Sequence, residues 1–575
     1  MSKGIFIFTF SPIQDFIQEA RKTADLRAGS QILVELSKAV ANTLAGQPGT
    51  TMIFPAETDR GDIPNKIVAR IEPYDQCREI ADTLKRAFDI RWGEISNEAK
   101  VIARFREDPL WSKIWERQVL HYWETYWAAA RIEAEGDDGF RSAVLRANQT
   151  LEANKRLRCF DGALDESGYK DTLGGIRSAL RTSTMDARQY WVELSRHYGA
   201  IKVRQGERLD ALGTVKRFSR IAKAGFPSTS DVASADFLAR VRASDAYGDY
   251  KQCLVDNTII EPDIVVDGDL LYLSCITQEY LRKNLGIELD QERIGRVQTA
   301  LRRLYKEAKE SPSTYYAIVA IDGDSMGERV NGFSLEEALD FSAKLDEFTA
   351  FVRKPGGMDP AEDLFMQNSH AALVYCGGDD VLALVPLANA VEYARLICKR
   401  FNQLTGGTAS AGISIQHHQS QLSISLQDAF KAEHTAKQVI QLAETAELKK
   451  DAVCIAVKKR SGAPYQVVCR WQDLQTNLSQ AVVMFRGDVS TKLAYGISEE
   501  AALTPGLKFG PQQALIRRLV HRHKLKKDFD EKGFTALLAG WMQSMRYRRP
   551  ENISPMQNLA KWLILARFIS QGGED

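Results

Sequence analysis

The sequence predicts an α+β protein in which two α/β units are combined with helical regions. A run of β-branched and aromatic residues, 5–10, predicts a strand that leads into an amphipathic helix from about Gln14. The continuous apolar run 315–321 predicts a buried strand at the start of a second unit. Helical patterns occupy residues 73–200 and the chain after about residue 473.

The two α/β units share a positional pattern. The first strand leads to Ser11, and Ser30 follows nineteen residues later. The second strand leads to Asp322, and Ser342 follows twenty residues later. A match of this kind predicts two copies of one fold, of which only the second carries an acid at the strand end.

The length of 575 residues predicts about four domains. Residues 1–150 form the first unit with a helical insertion, 151–305 a helical and mixed middle region, 306–475 the second unit, and 476–575 a helical C-terminal region. Hydrophobic residues make up 44% of the chain and charged residues 26%, which is typical of soluble globular proteins. A net charge of +1 excludes no class of partner.

No apolar run is long enough to cross a bilayer, and the N-terminus lacks a cleavable signal pattern. We therefore expect a cytoplasmic protein with no membrane partner. The eight cysteines are scattered and form no C-x-x-C pair, so they are expected to be buried thiols.

The segments around the two units are assigned by local pattern. Residues 51–71 predict further strands around a Pro64-Asn65 turn. Residues 264–274 resemble a strand, and a helix is expected from Gln278. The helical stretch 73–200 contains five tryptophans that we expect to be core residues of amphipathic helices, not base-stacking platforms. They are Trp92, Trp111, Trp115, Trp123 and Trp127.

The strongest chemical signal is a short hairpin. Two apolar, strand-length runs, 371–376 and 381–385, are separated only by Gly377-Gly378-Asp379-Asp380. The two glycines are expected to supply the positive φ angles of a tight turn and to leave space for a triphosphate. Adjacent carboxylates at a strand tip repel each other, so a divalent cation is expected to compensate their charge.

A further acidic motif, Asp322-Gly323-Asp324, follows the strand of the same unit. Two-metal nucleotidyl transfer requires carboxylates from more than one strand, so Asp322, Asp379 and Asp380 are candidate ligands of Mg²⁺ or Mn²⁺. Backbone amides of the loop that Gly323 opens could hold phosphate oxygens. Either motif alone could be a solvated turn, but their joint occurrence in one unit favours a metal site.

Two basic positions follow the hairpin. Lys437 lies on a helix predicted over 428–442, where it could bind a γ-phosphate or be an exposed helix lysine. His417-His418, at the end of the strand predicted over 409–415, is expected to be a turn, since no third ligand has the spacing of a metal site.

These residues together resemble the large palm-containing subunit, the Cas10 family of Cmr type, of type III CRISPR interference complexes. The resemblance extends over essentially the whole chain. In the first unit it rests on residues 10–17 (FSPIQDFI), 20–26 (ARKTADL), Gly29-Ser30 and 63–66 (IPNK). In the second unit it rests on residues 322–327 (DGDSMG), 377–380 (GGDD), 410–412 (SAG) and 458–462 (KKRSG).

The resemblance implies two ferredoxin-like palm domains of the nucleotidyl cyclase type, placed face to face, with a helical middle domain and a C-terminal helical bundle. It also implies that the second palm converts ATP to cyclic 3′-5′ oligoadenylate when the guide RNA of the complex pairs with target RNA. The implied partners are the other subunits of the Cmr-type complex, the guide RNA and the target RNA.

The same resemblance implies roles for individual residues. Asp322, Asp379 and Asp380 would be the catalytic metal ligands. Ser30 and Ser342 would face the adenines of two ATP molecules across a pseudo-twofold axis. The residues expected to bind nucleotide are Gly377, Gly378, Gly323, Asp324, Ser30, Ser342 and Lys437.

Two departures from the family pattern are visible. Many members begin with an HD nuclease domain, whereas this chain starts at the first palm and contains no His-Asp dipeptide, so DNase activity is not expected. Relatives usually carry zinc-binding cysteines around residues 206–213, where this chain has Asp210 and Gly213. Zinc is therefore not expected.

Other functions remain open on the sequence. A GGDEF-type diguanylate cyclase shares the hairpin, but here Val381-Leu382 replaces the Glu-Phe of its signature. An idle scaffold has no reason to keep paired acids at a strand tip. The same chemistry could join AMP to S-adenosylmethionine. The basic cluster between Arg517 and Lys527 is either a solvated helix face or an RNA contact.

Overall fold

The computed structural model describes residues 2–573 except 59–62, 104–106, 158–165, 167, 200–201, 222–224, 443–446, 460–464, 475–476, 546 and 549–553. The first unit and its helices comprise β1 (Gly4–Ser11), α1 (Gln14–Gln18), α2 (Thr23–Ala45), β2 (Thr50–Phe54), β3 (Ile67–Ile71), α3 (Cys77–Ala103), α4 (Pro109–Leu120), β4 (Glu124–Arg131) and α5 (Asp137–Arg156). Its antiparallel sheet has the order β2-β3-β1-β4. This is the β-α-β-β-α-β arrangement of a ferredoxin-like palm, as predicted.

Strand β4 corrects the prediction of continuous helix over 73–200. Trp127 pairs with Phe8 across the sheet and stacks on Phe6 at 5.9 Å between ring centroids, so it lies on a strand. The three alanines 128–130 favour helix locally, but pairing along the whole of β1 outweighs that preference. Trp92, Trp111 and Trp115 are buried on helices as expected.

The middle region is helical. Its helices are α6 (Ala187–Tyr198), α7 (Ala211–Phe218), α8 (Thr229–Val241), α9 (Asp245–Asp256), α10 (Gln278–Tyr280) and α11 (Gln291–Ala308). Side chains of α6 and α7 pack into the core of the first palm, whereas α9 and α11 help to form a separate core. The core of the first palm thus includes residues beyond position 150, and the predicted domain bounds stay a prediction.

The prediction of a strand over residues 264–274 is wrong. Gly268–Leu271 forms a 3₁₀ turn, because the Asp267 carboxylate accepts a hydrogen bond from the Asp269 amide at 2.9 Å and caps the turn. Leu270 and Leu271 are buried in the core of the middle region, which explains the apolar character of the segment.

The second palm comprises β5 (Tyr315–Gly323), α12 (Met326–Asn331), α13 (Leu335–Arg353), α14 (Pro360–Gln367), β6 (Ala372–Gly377), β7 (Asp380–Pro386), α15 (Ala390–Thr405), β8 (Ala409–His417), α16 (Leu422–Lys437), β9 (Ile440–Leu442), β10 (Glu447–Lys449), β11 (Ala452–Lys458) and β12 (Tyr465–Arg470). The sheet has the order β12-β11-β8-β5-β7-β6, so its last four strands repeat the topology of the first palm. Two copies of one fold are confirmed. Part of the family motif at 458–462 lies outside the described residues.

Strand β5 shows why its sequence is apolar without alternation. Ile318 and Ala320 belong to a core shared with the first palm, whereas Val319 and Ile321 belong to the core on the opposite face of the sheet. A strand that is buried on both faces has no polar side to display.

The chain ends in a mainly helical region, as predicted. It contains α17 (Trp471–Leu474), α18 (Asn477–Phe485), α19 (Lys492–Leu503), α20 (Phe509–His523), α21 (Glu531–Ser544), β13 (Tyr547–Arg548) and α22 (Pro555–Ser570). The short β13 extends a three-stranded sheet, β10-β9-β13, that helical patterning does not predict. None of the described helices combines the length and apolar character needed to cross a membrane.

The basic cluster at the end of α20 is partly neutralised within the chain. Arg518 pairs with Glu500 at 2.6 Å and Lys526 pairs with Asp488 at 2.5 Å. Lys524 pairs with Glu531. These ion pairs favour a solvated helix face, and an RNA contact stays a prediction.

Candidate metal and nucleotide site

The hairpin predicted from the sequence is present. Gly377 pairs with Asp380 at the end of the β6 and β7 ladder. Only Gly378 has a positive φ, of 66°, so the expectation that both glycines adopt such angles is wrong for Gly377. At Gly377 a Cβ atom would lie 2.1 Å from the Tyr375 hydroxyl, so this glycine makes room for a side chain.

Three carboxylates converge at the hairpin. Asp322 ends β5, the neighbour of β7, and one carboxylate oxygen from each of Asp322, Asp379 and Asp380 lies within 4.8 Å of the others. Gly323 permits this approach, because a Cβ atom there would lie 2.8 Å from an Asp379 carboxylate oxygen. The predicted metal ligands are therefore brought together, and Gly323 makes space for one of them.

The electrostatics of this cluster are unfavourable without a cation. Burial raises the pKa of Asp379 to about 6. The pKa of Asp380 is raised well above its ordinary value by burial and by the charges of Asp379 and Glu433. Surrounding protein partly desolvates the Asp380 carboxylate, but its side chain remains accessible to solvent, so a cation can reach it. Three hard oxygen donors with mutual repulsion fit Mg²⁺ or Mn²⁺.

Lys437 lies beside these carboxylates. Its ammonium forms an ion pair with Asp322 and lies 3.3 Å from a Glu433 carboxylate oxygen. Burial and the nearby Lys450 lower the pKa of Lys437 to about 8. Helix α16 ends at this lysine, earlier than predicted, so the ammonium lies at the site and not on an exposed helix face. Its contact with a γ-phosphate stays a prediction.

Gly412 explains how α16 reaches the site. A Cβ atom on this residue of β8 would lie 2.1 Å from the backbone nitrogen of Glu433. Any other residue would push the helix away from the sheet, and Glu433 and Lys437 would move with it. The glycine of the 410–412 motif is thus a packing requirement of the site.

Two neighbouring residues were missed at the sequence level. Glu433 lies one helical turn before Lys437, and burial together with Asp324 raises its pKa to about 7. The Lys450 ammonium donates a hydrogen bond to the Ser325 hydroxyl at 2.8 Å. The i, i+4 spacing of Glu433 and Lys437 was an available signal. Lys450 had none, because its partner is 125 residues away.

Asp324 has a different position from the one expected. Its carboxylate is buried and accepts hydrogen bonds from the Thr408 hydroxyl at 2.8 Å, the Ser410 hydroxyl at 2.8 Å and the Asp451 amide at 3.0 Å. These bonds hold the loop after β5 against β8 and β11. In this structure the Asp324 carboxylate positions the loop, and its contact with nucleotide stays a prediction.

The two serines expected to face adenines occupy equivalent helices. Ser30 lies on α2 and Ser342 on α13, and each helix contacts the second strand of the other palm, β6 and β2 respectively. Both side chains are buried. The Ser30 hydroxyl donates to the Val374 carbonyl at 2.8 Å, so it is engaged by protein in this structure. Contact of either serine with adenine stays a prediction.

A cavity of about 180 Å³ lies between the palms beside Asp379 and Gly378. Its walls are mainly apolar and come from both units, including Ile7, Val68, Phe140, Val144, Met326, Val330 and Phe341. Three polar side chains that line it are hydrogen-bonded in a row. The Lys66 ammonium donates to the Asn148 side-chain oxygen at 2.8 Å, and the Asn148 amide donates to the Asn331 side-chain oxygen at 2.8 Å. An apolar slot with a few polar groups suits a planar heterocycle.

Residues 206–213, the segment for which the family resemblance led us to consider zinc, are held by hydrogen bonds and ion pairs. The Asp210 carboxylate accepts from the Gly213 amide at 2.7 Å and so caps α7. The same carboxylate pairs with Arg177, which also pairs with Glu19 of the first palm. The segment is thus tied to the first palm by side-chain ion pairs.

We expect Mn²⁺ to stabilise this protein more strongly at about pH 7.5 than at about pH 5. Since the pKa of Asp379 is about 6, the carboxyl is protonated below that pH, and the metal must displace the proton. The raised pKa also means that the metal-free fold loses stability from this group as pH rises from about 4 to about 6. Thermal unfolding with Mn²⁺ and with chelator across this range measures the difference. A Mn²⁺ effect that is independent of pH, or that survives in Asp379→Asn, would contradict the assignment.

Comparisons with known proteins add to this geometry. A family model described as Cas10/Cmr2, second palm domain, matches residues 315–445, and one described as CRISPR-associated protein Cmr2, N-terminal, matches residues 5–97. The CRISPR system Cmr subunit Cmr2 of Pyrococcus furiosus is 28% identical over 304 residues. That match covers 47% of this chain and 34% of the relative, so the two share only about a third of the relative's length.

Two solved structures share the fold. A type III-B Cmr-beta structure in the apo state matches with a TM-score of 0.69 and 13% identity, covering 100% of this chain and 82% of the other. The type III-B Cmr-beta structure bound to cognate target RNA matches with a TM-score of 0.64 and 14% identity, covering 99% and 83%. At this identity the likeness concerns the architecture, which includes both palms and the helical regions.

Proposed function

Since this chain belongs to the Cas10/Cmr2 family as a Cmr-type member, we propose that it is a target-RNA-activated nucleotidyltransferase of a type III CRISPR effector complex. Its substrate is ATP and its product is cyclic oligoadenylate. Its partners are the other Cmr-type subunits, the guide RNA and the target RNA. The observation that carries the proposal is the convergence of Asp322, Asp379 and Asp380 at adjacent strand ends.

The carboxylates of these three aspartates would hold Mg²⁺ or Mn²⁺. Such ions, when bound, lower the pKa of an attacking hydroxyl and neutralise the charge on the leaving pyrophosphate. Each phosphodiester formed from ATP releases one pyrophosphate. The raised pKa values of Asp379 and Asp380 support this assignment, because a cation relieves the cost of ionising them.

The basic residues next to the carboxylates suit a polyphosphate. Lys437 and Lys450 lie close enough for the charge of Lys450 to lower the pKa of Lys437. An anion placed between two such ammonium groups relieves their repulsion. Lys437 pairs with Asp322 in the metal-free arrangement, and a bound cation would compete for that carboxylate and free the ammonium for phosphate.

The cavity between the palms supports a nucleotide substrate. An engineered apolar cavity of about 150 Å³ holds benzene, so the space beside Asp379 is of the size that accommodates an aromatic ring. The polar chain of Lys66, Asn148 and Asn331 provides amide groups at the wall of this space. Bases are oriented by hydrogen bonds of this kind while apolar walls exclude water.

The proposal is tested on the assembled complex with guide RNA and target RNA. ATP is supplied with Mg²⁺ or Mn²⁺, with and without S-adenosylmethionine, and the products are identified by mass spectrometry. Cyclic oligoadenylate that forms only with target RNA is the expected result. A product that requires S-adenosylmethionine would replace the proposed acceptor, and the absence of any nucleotide product would favour a scaffold.

A further inference from the structure

Strand β6, which leads into the hairpin, is hydrogen-bonded along its edge by side chains of the first palm. It is one of the two edge strands of its sheet, and its pairing with β7 shifts register between Leu373 and Tyr375. The extra residue of this bulge is Val374, which is paired with no residue of β7 because Leu373 pairs with Ala383 and Tyr375 pairs with Leu382. The carbonyl groups of Leu373 and Val374 at the bulge accept hydrogen bonds from donors outside the sheet.

Two side chains of α2 bind these carbonyl groups. The Ser30 hydroxyl donates to the Val374 carbonyl at 2.8 Å. The Arg27 guanidinium donates to the same carbonyl at 2.6 Å and to the Leu373 carbonyl at 3.3 Å. We call Arg27 and Ser30 the β6 clamp.

Covering an edge strand does not by itself require polar groups, since apolar packing also blocks it. The clamp instead engages one carbonyl with two donors, one of them charged, at a fully buried position. A hydrogen bond from a charged donor is shorter and about twice as strong as a neutral one. Bonds with such directional requirements fix the position of the strand more closely than packing does.

The clamp acts close to the carboxylates. Val374 lies three residues before Gly377, which is about 10 Å along an extended strand. Asp379 and Asp380 follow at the tip. A displacement of β6 at the bulge therefore moves the hairpin relative to Asp322, which lies on β5.

The clamp is itself anchored. Asp25, two residues before Arg27 on α2, forms hydrogen bonds of 2.5 Å with the Arg217 guanidinium of α7. Arg217 also binds the buried Glu207 at 3.0 Å. Helix α2 is thus held on one side by the middle region and holds β6 on the other.

We propose that Arg27 and Ser30 are positioning residues that set the placement of the Asp379-Asp380 hairpin, so that the first palm controls a metal site to which none of its described residues contributes a ligand. This inference rests on the proposed function for its catalytic readout. It gives Ser30 a role through β6 that is distinct from the adenine contact implied by the family resemblance, which stays a prediction. Misplacement of catalytic groups by about 1 Å costs about 10²-fold in rate, so a loosened clamp should affect turnover strongly.

The test compares Ser30→Ala with Ser37→Ala in the assembled complex. Both serines are buried on α2, and the Ser37 hydroxyl has no hydrogen-bond partner in the described structure. We expect Ser30→Ala to lower kcat about 10- to 100-fold with KM for ATP changed less than about twofold. Ser37→Ala should leave both constants near their wild-type values. Arg27→Met, which removes the charged donor, should reproduce the effect of Ser30→Ala.

A second readout separates this inference from the proposed function. The stabilisation of the full chain by Mn²⁺ needs no turnover, and it should be smaller in Ser30→Ala and Arg27→Met than in Ser37→Ala because the carboxylates are less well held. That difference would support the clamp even if the wild-type complex made no nucleotide product. A higher KM for ATP with unchanged kcat in Ser30→Ala would overturn the inference in favour of direct base contact. Equal kcat and equal Mn²⁺ stabilisation in all variants would also overturn it.

Discussion

Replacing Asp379 and Asp380 together with asparagine is expected to lower product formation at least about 10³-fold, while target-RNA binding is unchanged. The substitution keeps the shape of both side chains and removes the anionic oxygens that would hold the metals. Metal ions supply several kcal/mol of transition-state stabilisation, and about 1.4 kcal/mol corresponds to a tenfold change in rate. Product formation by the assembled complex and its affinity for target RNA are the two measurements.

The same variant should be slightly more stable than the wild type in the absence of metal, although it loses activity. Burial raises the pKa of Asp379, and burial together with the charge of Asp379 raises the pKa of Asp380, so their ionised forms are unfavourable in the metal-free fold at neutral pH. Asparagine removes that penalty. The thermal midpoint without metal should therefore rise slightly, and the additional stabilisation by Mn²⁺ should disappear. This is the exchange of stability for function expected at an active site.

Asp340→Asn is the matched control. Asp340 lies on α13 of the same palm, where its exposed carboxylate pairs with Lys344 at 2.6 Å. The control should retain wild-type activity and the wild-type response to Mn²⁺. Retained synthesis in the double variant, or an equal loss in the control, would contradict the metal assignment.

Arg217→Met is expected to destabilise the first palm and the middle region by about 3–5 kcal/mol, the range for breaking a buried ion pair. The guanidinium is buried and binds Asp25 at 2.5 Å and Glu207 at 3.0 Å. Both carboxylates are also buried, so removing the guanidinium takes away their main partner and leaves only the more distant charge of Lys22 to compensate them. Denaturant unfolding followed by tryptophan fluorescence measures the loss.

The loss of stability in Arg217→Met should become smaller as pH falls. Burial alone would raise the pKa of Glu207, but the charge and hydrogen bonds of Arg217 outweigh it and lower that pKa to about 2. The wild-type stabilisation from this carboxylate is therefore complete above about pH 4.5 and is lost as pH falls towards 2. In Arg217→Met the carboxyl can accept a proton in mild acid, so the difference between variant and wild type should shrink as pH falls.

Arg240→Met is the control for this prediction. Arg240 makes a bidentate pair with Glu310 at 2.7 and 2.9 Å, but its side chain is 56% exposed. Exposed pairs contribute about 0–1 kcal/mol, so the control should lose little stability. Similar losses in both variants, or a difference that grows in acid, would show that burial of the Arg217 network is not what stabilises this region.

The parts of the site that are local in sequence were predictable. The hairpin follows from two apolar runs separated by four residues, and Asp322 follows from a strand that is buried on both faces. Local reasoning failed where long-range contacts outweighed it. The alanines of β4 favour helix but pair with β1, and the apolar residues 270–271 belong to a capped turn.

The sequence by itself determined that the chain contains two related palms and that paired acids lie at a strand tip of the second. Only the tertiary structure decided which groups hold those acids in place. Ser30 binds a carbonyl 344 residues away, and Asp25 binds a guanidinium 192 residues away. Periodicity and turn chemistry act over a few residues and are visible in the sequence. The partner of a buried polar group depends on how the folded units pack, and no local pattern encodes it.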